Sequence, residues 1–218
     1  MKTIYCIPGL GATDAIFSRL KPKSVDLKPL KLPRPTDGDD IHSYASRLLG
    51  QLDTERPFWL LGQSFGGMLA IEMSRLCSPE KIILVSSVKC RQELPWYARL
   101  IGALRLHRLV PYSHPEYTLP VSRFLNGIST ADERAVLKEM VAKRDVDLLK
   151  WSTDQAVTWH SGVAPDNLFH IHGTADRLIP ARYVHADAWI VGGTHFMIVS
   201  RAEEISRLLD RMTVQECD

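Results

Sequence analysis

Apolar and polar positions along the chain repeat with two different periods. Residues 2–7 (KTIYCI) are a short apolar, partly β-branched run ended by Pro8-Gly9, which predicts a buried strand. Residues 13–20 read as a short helix with Thr13 as its N-cap. Residues 25–32 (VDLKPLKL) alternate, and Pro29 places that strand at an edge, where a missing N–H is tolerated. Asp39 or Asp40 caps a helix running to about Leu52, with Ile41, Tyr44, Ala45, Leu48 and Leu49 at helical spacing. A strand over 57–62 (PFWLLG), a helix from Phe65 to about Leu76 and a strand over 81–86 (KIILVS) follow.

The alternation then pauses. Residues 88–160 hold no strand signal but four helical stretches, at 94–108, 118–126, 130–142 and 145–159, with Thr130 and Glu133 spaced as a capping box. It resumes with a strand at 167–172 (NLFHIH), a short helix at 180–186, a strand at 187–191 (DAWIV) and a closing helix at 196–211. Strands alternating with helices give an α/β fold: a doubly wound, mostly parallel sheet of about six strands. The predicted organisation is a core of residues 1–87 and 161–218 interrupted by a helical insertion, 88–160. Open α/β sheets bind ligands beyond the carboxyl ends of their strands, so an insertion leaving from there reads as a cap or lid.

Composition narrows this picture. A chain of 218 residues, 45% hydrophobic, suits one compact domain with a substantial core. The net charge of +2 gives no general case for nucleic acid. The basic residues are nevertheless uneven: Lys89, Arg91, Arg99, Arg105 and Arg108 stand against the single acid Glu93. That stretch reads as a solvated face or, alternatively, as an anion-attracting rim over a pocket. The cysteines Cys6, Cys77, Cys90 and Cys217 form no CxxC pair and no zinc spacing, which suits reduced thiols in a cytoplasmic protein. The first residues imitate a signal peptide only until Pro8-Gly9, and no stretch has the roughly 18–20 apolar residues of a membrane span.

Gly62-Gln63-Ser64-Phe65-Gly66 matches G-x-S-x-G between a predicted strand and a predicted helix, the context of a nucleophile elbow. Such a turn holds its serine in a strained conformation and leaves no room for side chains at the flanking glycines. A serine hydroxyl needs a base, and the base an orienting acid, in the chain order Ser, Asp or Glu, His. Asp176 follows the strand at 167–172 and His195 follows the strand at 187–191, both on the sheet edge of Ser64. Asp166 and Asp187 precede their strands, at the opposite edge. His170 and His172, two apart on one strand, lack a nearby third ligand, so no metal is expected there. The loop Pro8-Gly9-Leu10-Gly11-Ala12 supplies a second oxyanion donor, Leu10 N–H beside Phe65 N–H. The same loop offers Gly-x-Gly after a strand, but Asp14 occupies the third glycine position, so no dinucleotide is expected.

IPGLG, GQSFGG, HGTADRLIP and GGTHF, in this order, resemble the serine α/β-hydrolases with a helical cap. The resemblance runs from the first strand to the last helix, except that the cap is not diagnostic. It implies catalytic roles for Ser64, Asp176 and His195 and an oxyanion hole at Leu10 and Phe65. The sequence departs from the family pattern in starting at what is the family's third strand and in a short Asp176–His195 interval. Pro8 and Gln63 also stand where the family often has histidine.

The expected chemistry is acyl transfer to water from an ester-like bond of a small, apolar substrate, with no cofactor. Thioester, amide or C–C hydrolysis and cyanohydrin lysis fit the same residues, as does a non-catalytic binding protein. Dehalogenases and epoxide hydrolases place an aspartate where Ser64 stands. Trp96, Tyr97, Trp151 and Trp159 are the candidate pocket aromatics. The expected partner is a small molecule, with neither nucleic acid nor membrane insertion, and the oligomeric state stays open.

Overall fold

The computed structural model describes residues 1–214, so Cys217 lies outside the described residues. Six strands, β1 (Lys2–Ile7), β2 (Val25–Pro29), β3 (Phe58–Gln63), β4 (Lys81–Val85), β5 (Leu168–Gly173) and β6 (Ala188–Ile190), form one sheet ordered β2-β1-β3-β4-β5-β6. Every pairing is parallel. β2, with Pro29, is an edge strand, as its sequence requires. From β1 the chain goes first to β2 on one side and then to β3 on the other. The switch point therefore lies between the loop after β1 and the turn after β3, where open sheets place ligands.

Successive strand residues feed two cores. Ile4, Cys6, Trp59, Leu61, Ile83 and Val85 face one way, against Ile205, Leu209 and Met212 of α8 (Ala202–Val214). Tyr5, Ile7, Leu60, Ile82 and Leu84 face the other, against α1 (Ile41–Leu48) and α2 (Phe65–Ser74). This period-two division of apolar residues is what a sheet covered on both faces needs. α1 starts at Asp40, whose side chain accepts from Ser43 N–H while the Ser43 hydroxyl bonds back, a reciprocal cap.

Between β4 and β5 the chain forms α3 (Trp96–Ala103), α4 (Pro115–Asn126), α5 (Ala131–Ala142) and α6 (Val146–Thr158). Thr130 and Glu133 make the expected capping box at the start of α5. The single helix expected over 94–108 is broken. Arg105 adopts a left-handed conformation (φ 54°), ending α3, and a separate 3₁₀ turn spans Leu106–Leu109. The closing helix is likewise split into α7 (Met197–Ser200) and α8 by Arg201, whose φ of −117° is non-helical. The helix expected at 13–20 is a 3₁₀ turn over Asp14–Phe17, and Thr13 flanks it without a side-chain cap bond.

Cys6, Cys77 and Cys90 are free thiols, and burial pushes the Cys6 thiol far up. Among the described residues no helix is long and apolar enough to cross a membrane.

Candidate active site

Ser64 sits between β3 and α2 with φ 53° and ψ −120°, a conformation that ordinary residues avoid. The strain is held by backbone bonds on both sides: Ser64 N–H donates to Val85 O (3.0 Å), and Ser64 O accepts from Gly67 N–H (2.9 Å) and the Ser87 hydroxyl (2.6 Å). The glycines have steric reasons. A Cβ on Gly62 would fall on the Gly66 backbone, and one on Gly66 would fall on the Ile7 carbonyl of the neighbouring strand. The turn thus packs against β1 at backbone distance and lifts the serine above the sheet.

His195 Nε2 lies 2.9 Å from Ser64 Oγ, and His195 Nδ1 lies 2.8 Å from Asp176 Oδ2. The other carboxylate oxygen, Oδ1, accepts from the backbone N–H groups of Leu178 (2.9 Å) and Ile179 (2.8 Å). Asp176 is thereby fixed in orientation and its charge is supported by two amides. A carboxylate acceptor at Nδ1 sets the imidazole tautomer with its proton there, leaving Nε2 to accept from the Ser64 hydroxyl. All three side chains are buried, with Ser64 the most accessible at 8%. The Leu10 and Phe65 amides donate to no protein acceptor among the described residues. Phe65 is the first residue of α2, so its N–H points out of the positive end of that helix.

Ser64 and His195 open into a cavity of about 540 Å³. Its floor includes Leu10, Gly11 and Gln63, and its walls come largely from the 110–126 region and α5. Val110, Val121, Leu125, Leu137 and Met140 make those walls apolar. α4 is tied to the histidine loop, because Phe196 N–H donates to Asn126 O at 3.2 Å.

The four aromatics expected at the pocket are not among the residues lining this cavity. Trp96 is 59% exposed on α3. Tyr97 packs edge-on against Trp96 and Tyr183, with its hydroxyl bonded to Leu178 O. Trp151 stacks on Tyr44 and bonds Asp39 O, tying α6 to the core. Trp159 is buried and donates to the Glu72 carboxylate (2.9 Å). Tyr97, Trp151 and Trp159 anchor the insertion, Trp96 stays exposed, and none of the four lines the cavity. The lining residues of α4 and α5 left a weak sequence signal, an α4 with apolar residues on more than one face. There Tyr117, Val121 and Phe124 are exposed, and Tyr117 and Val121 also border the cavity beside Leu125.

His170 and His172 are buried and bonded to each other, Nε2 to Nδ1 at 3.2 Å. Burial holds both below the ordinary histidine range. Among the described residues no group of three or more His, Cys, Asp or Glu is placed to hold a metal ion.

Several solved structures share this fold. The RedJ thioesterase from the prodiginine biosynthetic pathway of Streptomyces coelicolor is 20% identical, with a TM-score of 0.66 over 96% of this chain and 85% of that one. A thermophilic esterase from Thermogutta terrifontis with malate bound is 13% identical, with a TM-score of 0.64 over 99% and 90%. A lipase-esterase related protein from Clostridium acetobutylicum is 16% identical, with a TM-score of 0.65 over 96% and 93%. No curated protein matches the sequence. Residues 4–208 match the alpha/beta hydrolase family, spanning nearly the whole chain from the first strand to the last helix, and the chain belongs to that family.

Proposed function

We propose that the chain is a serine hydrolase that cleaves an ester-like bond through an acyl-enzyme. The observation that carries this reading is the continuous bond path from Ser64 Oγ through His195 to Asp176 at the floor of an apolar cavity. Ser64 attacks the carbonyl carbon and its proton passes to His195 Nε2. Asp176 stabilises the imidazolium that forms and keeps its proton on Nδ1. The Leu10 and Phe65 amides receive the developing oxyanion, each contributing about 2.7–4 kcal/mol to lowering the barrier. His195 gives its proton to the leaving group, then takes one from water as the water oxygen attacks the acyl carbon, and returns it to Ser64 Oγ as the acid departs.

The helices of 88–160 act as a cap that shapes the substrate site, and its hydrocarbon walls favour a medium apolar acyl or alcohol chain over a small polar one. The same residues serve a thioester, and the solved relatives include both esterases and a thioesterase. A fluorophosphonate probe tests the core of the reading. It is expected to label Ser64 in the wild-type protein and to leave Ser64→Ala unlabelled, and a wild-type chain that stays unlabelled sinks the proposal. A panel of p-nitrophenyl esters and acyl-pantetheine thioesters then reads which bond is cleaved.

A further inference from the structure

The cavity over Ser64 is mostly apolar, with neutral polar groups such as Thr118, Ser122 and Asn126 among its lining. Among its lining residues only Arg144, at the junction of α5 and α6, carries a permanent charge. It is half-buried, and among the described residues its one hydrogen bond is a long one, Nη2 to the Ser113 carbonyl at 3.4 Å. No carboxylate of the described residues forms an ion pair with it. Glu116 is near enough for the Arg144 charge to help lower its pKa, but its Oε1 is engaged with His114 Nδ1 at 3.0 Å. Other cations around this junction are partnered: Lys143 holds Glu139 at 2.7 Å, and Arg34 holds Asp145. A guanidinium has five donors in a planar fork. Most of them have no protein partner among the described residues and remain available to an anion entering the cavity, for which the planar fork is suited.

We propose that Arg144 binds an oxyanionic group of the substrate, and that the substrate is therefore an amphiphile. Its apolar segment lies along α4 and α5, and one carboxylate or phosphate stands at the Arg144 end of the cavity. This rests on the Ser64 reading for the bond that is broken. The basic residues 89–108, the alternative source of an anion-attracting rim, do not supply it. None of them lines the cavity, Lys89 pairs with Asp187 (3.2 Å), and Arg108 pairs with Asp154 (3.1 Å). Carboxylate and phosphate match the guanidinium fork equally well, so the substrate pairs must separate them.

The test compares kcat/KM within two pairs: p-nitrophenyl octanoate against the p-nitrophenyl monoester of suberate, and S-octanoyl-pantetheine against its 4′-phosphate. The charged member is expected to be preferred about tenfold or more in one pair, which identifies the source of the anion. In Arg144→Gln that ratio should collapse toward one. Neutral members equal or preferred in both pairs, or a ratio that survives the substitution, overturns the proposal. A binding measurement keeps this separate from the chemistry. In the Ser64→Ala protein, octyl phosphate or octanoate is expected to bind about tenfold more tightly than octanol, and the difference should vanish in Ser64→Ala/Arg144→Gln. Equal binding overturns the Arg144 assignment whatever the turnover. Failed Ser64 labelling with the binding difference intact overturns only the hydrolase reading.

Discussion

His172 donates its Nε2–H to the Ile179 carbonyl at 2.9 Å while the same nitrogen stands 3.5 Å from Asp176 Oδ2. One buried ring thus braces both ends of the four-residue turn that presents the carboxylate to His195. Because the ring donates from Nε2, its Nδ1 accepts from His170, and the two histidines act as a pair. Replacing His172 by Phe removes the donor and leaves a buried carbonyl unpaired, a loss of about 1–3 kcal/mol in stability. With Asp176 less firmly held, kcat should fall by about tenfold while KM changes little. His172→Gln keeps an N–H for the Ile179 carbonyl and should recover most of the rate. Equal losses in the two variants would show that the ring is mere packing.

The backbone strain at Ser64 separates stability from activity at one position. Glycine adopts φ 53°, ψ −120° without a Cβ penalty, whereas alanine keeps the penalty and loses the hydroxyl. Ser64→Gly should therefore be more stable than Ser64→Ala by about 1 kcal/mol, even though glycine costs more chain entropy on folding. Both should lose turnover by on the order of 10⁴-fold or more. Urea unfolding of the two variants checks the order of stability. The opposite order would mean that the elbow is not strained.

Much of this architecture could be read from residue pattern, for reasons visible in particular elements. β1, β3 and β4 are continuous apolar runs ended by Pro8-Gly9, by the Gln63-Ser64 pair and by Ser86-Ser87, so their ends fall within a residue or two of expectation. Ser64, Asp176 and His195 were locatable because each follows a strand, and the carboxyl ends of parallel strands share one edge. The breaks at Arg105 and Arg201 were not legible. Neither carries a glycine or proline to announce it, and each shows only in its backbone, with Arg105 left-handed and Arg201 at a φ of −117°. The cavity wall was hidden for a related reason. Helical spacing says that Trp151 or Leu125 has a buried face, but not which neighbour that face meets. Trp151 meets Tyr44 and Phe65, and Leu125 meets the cavity.

Leu125 offers a direct probe of the chamber. A Trp at this position adds a large ring to the cavity wall and reduces the space for an acyl chain. Leu125→Trp should lower kcat/KM for p-nitrophenyl octanoate by about tenfold relative to p-nitrophenyl acetate, on the scale of two lost methylene contacts. An unchanged octanoyl-to-acetyl ratio would place the acyl chain elsewhere, against the alcohol side of the cavity.

The paired histidines also set an acid limit on the fold. Burial depresses both, the neighbouring His172 and Lys89 charges add to this at His170, and the Asp176 charge opposes it at His172. In the unfolded chain each regains an ordinary pKa near 6.5. Above that value both are neutral in either state, so they give stability no slope. As pH falls through it, the unfolded chain takes up protons that the folded chain refuses, and stability drops until the depressed folded values are reached. The slope should approach about 1.4 kcal/mol per pH unit for each histidine that stays neutral. Urea midpoints at pH 7.5, 6.5 and 5.5 should therefore hold steady and then fall, and His170→Gln should fall less steeply. A variant with the wild-type slope would assign the acid sensitivity to groups other than this pair.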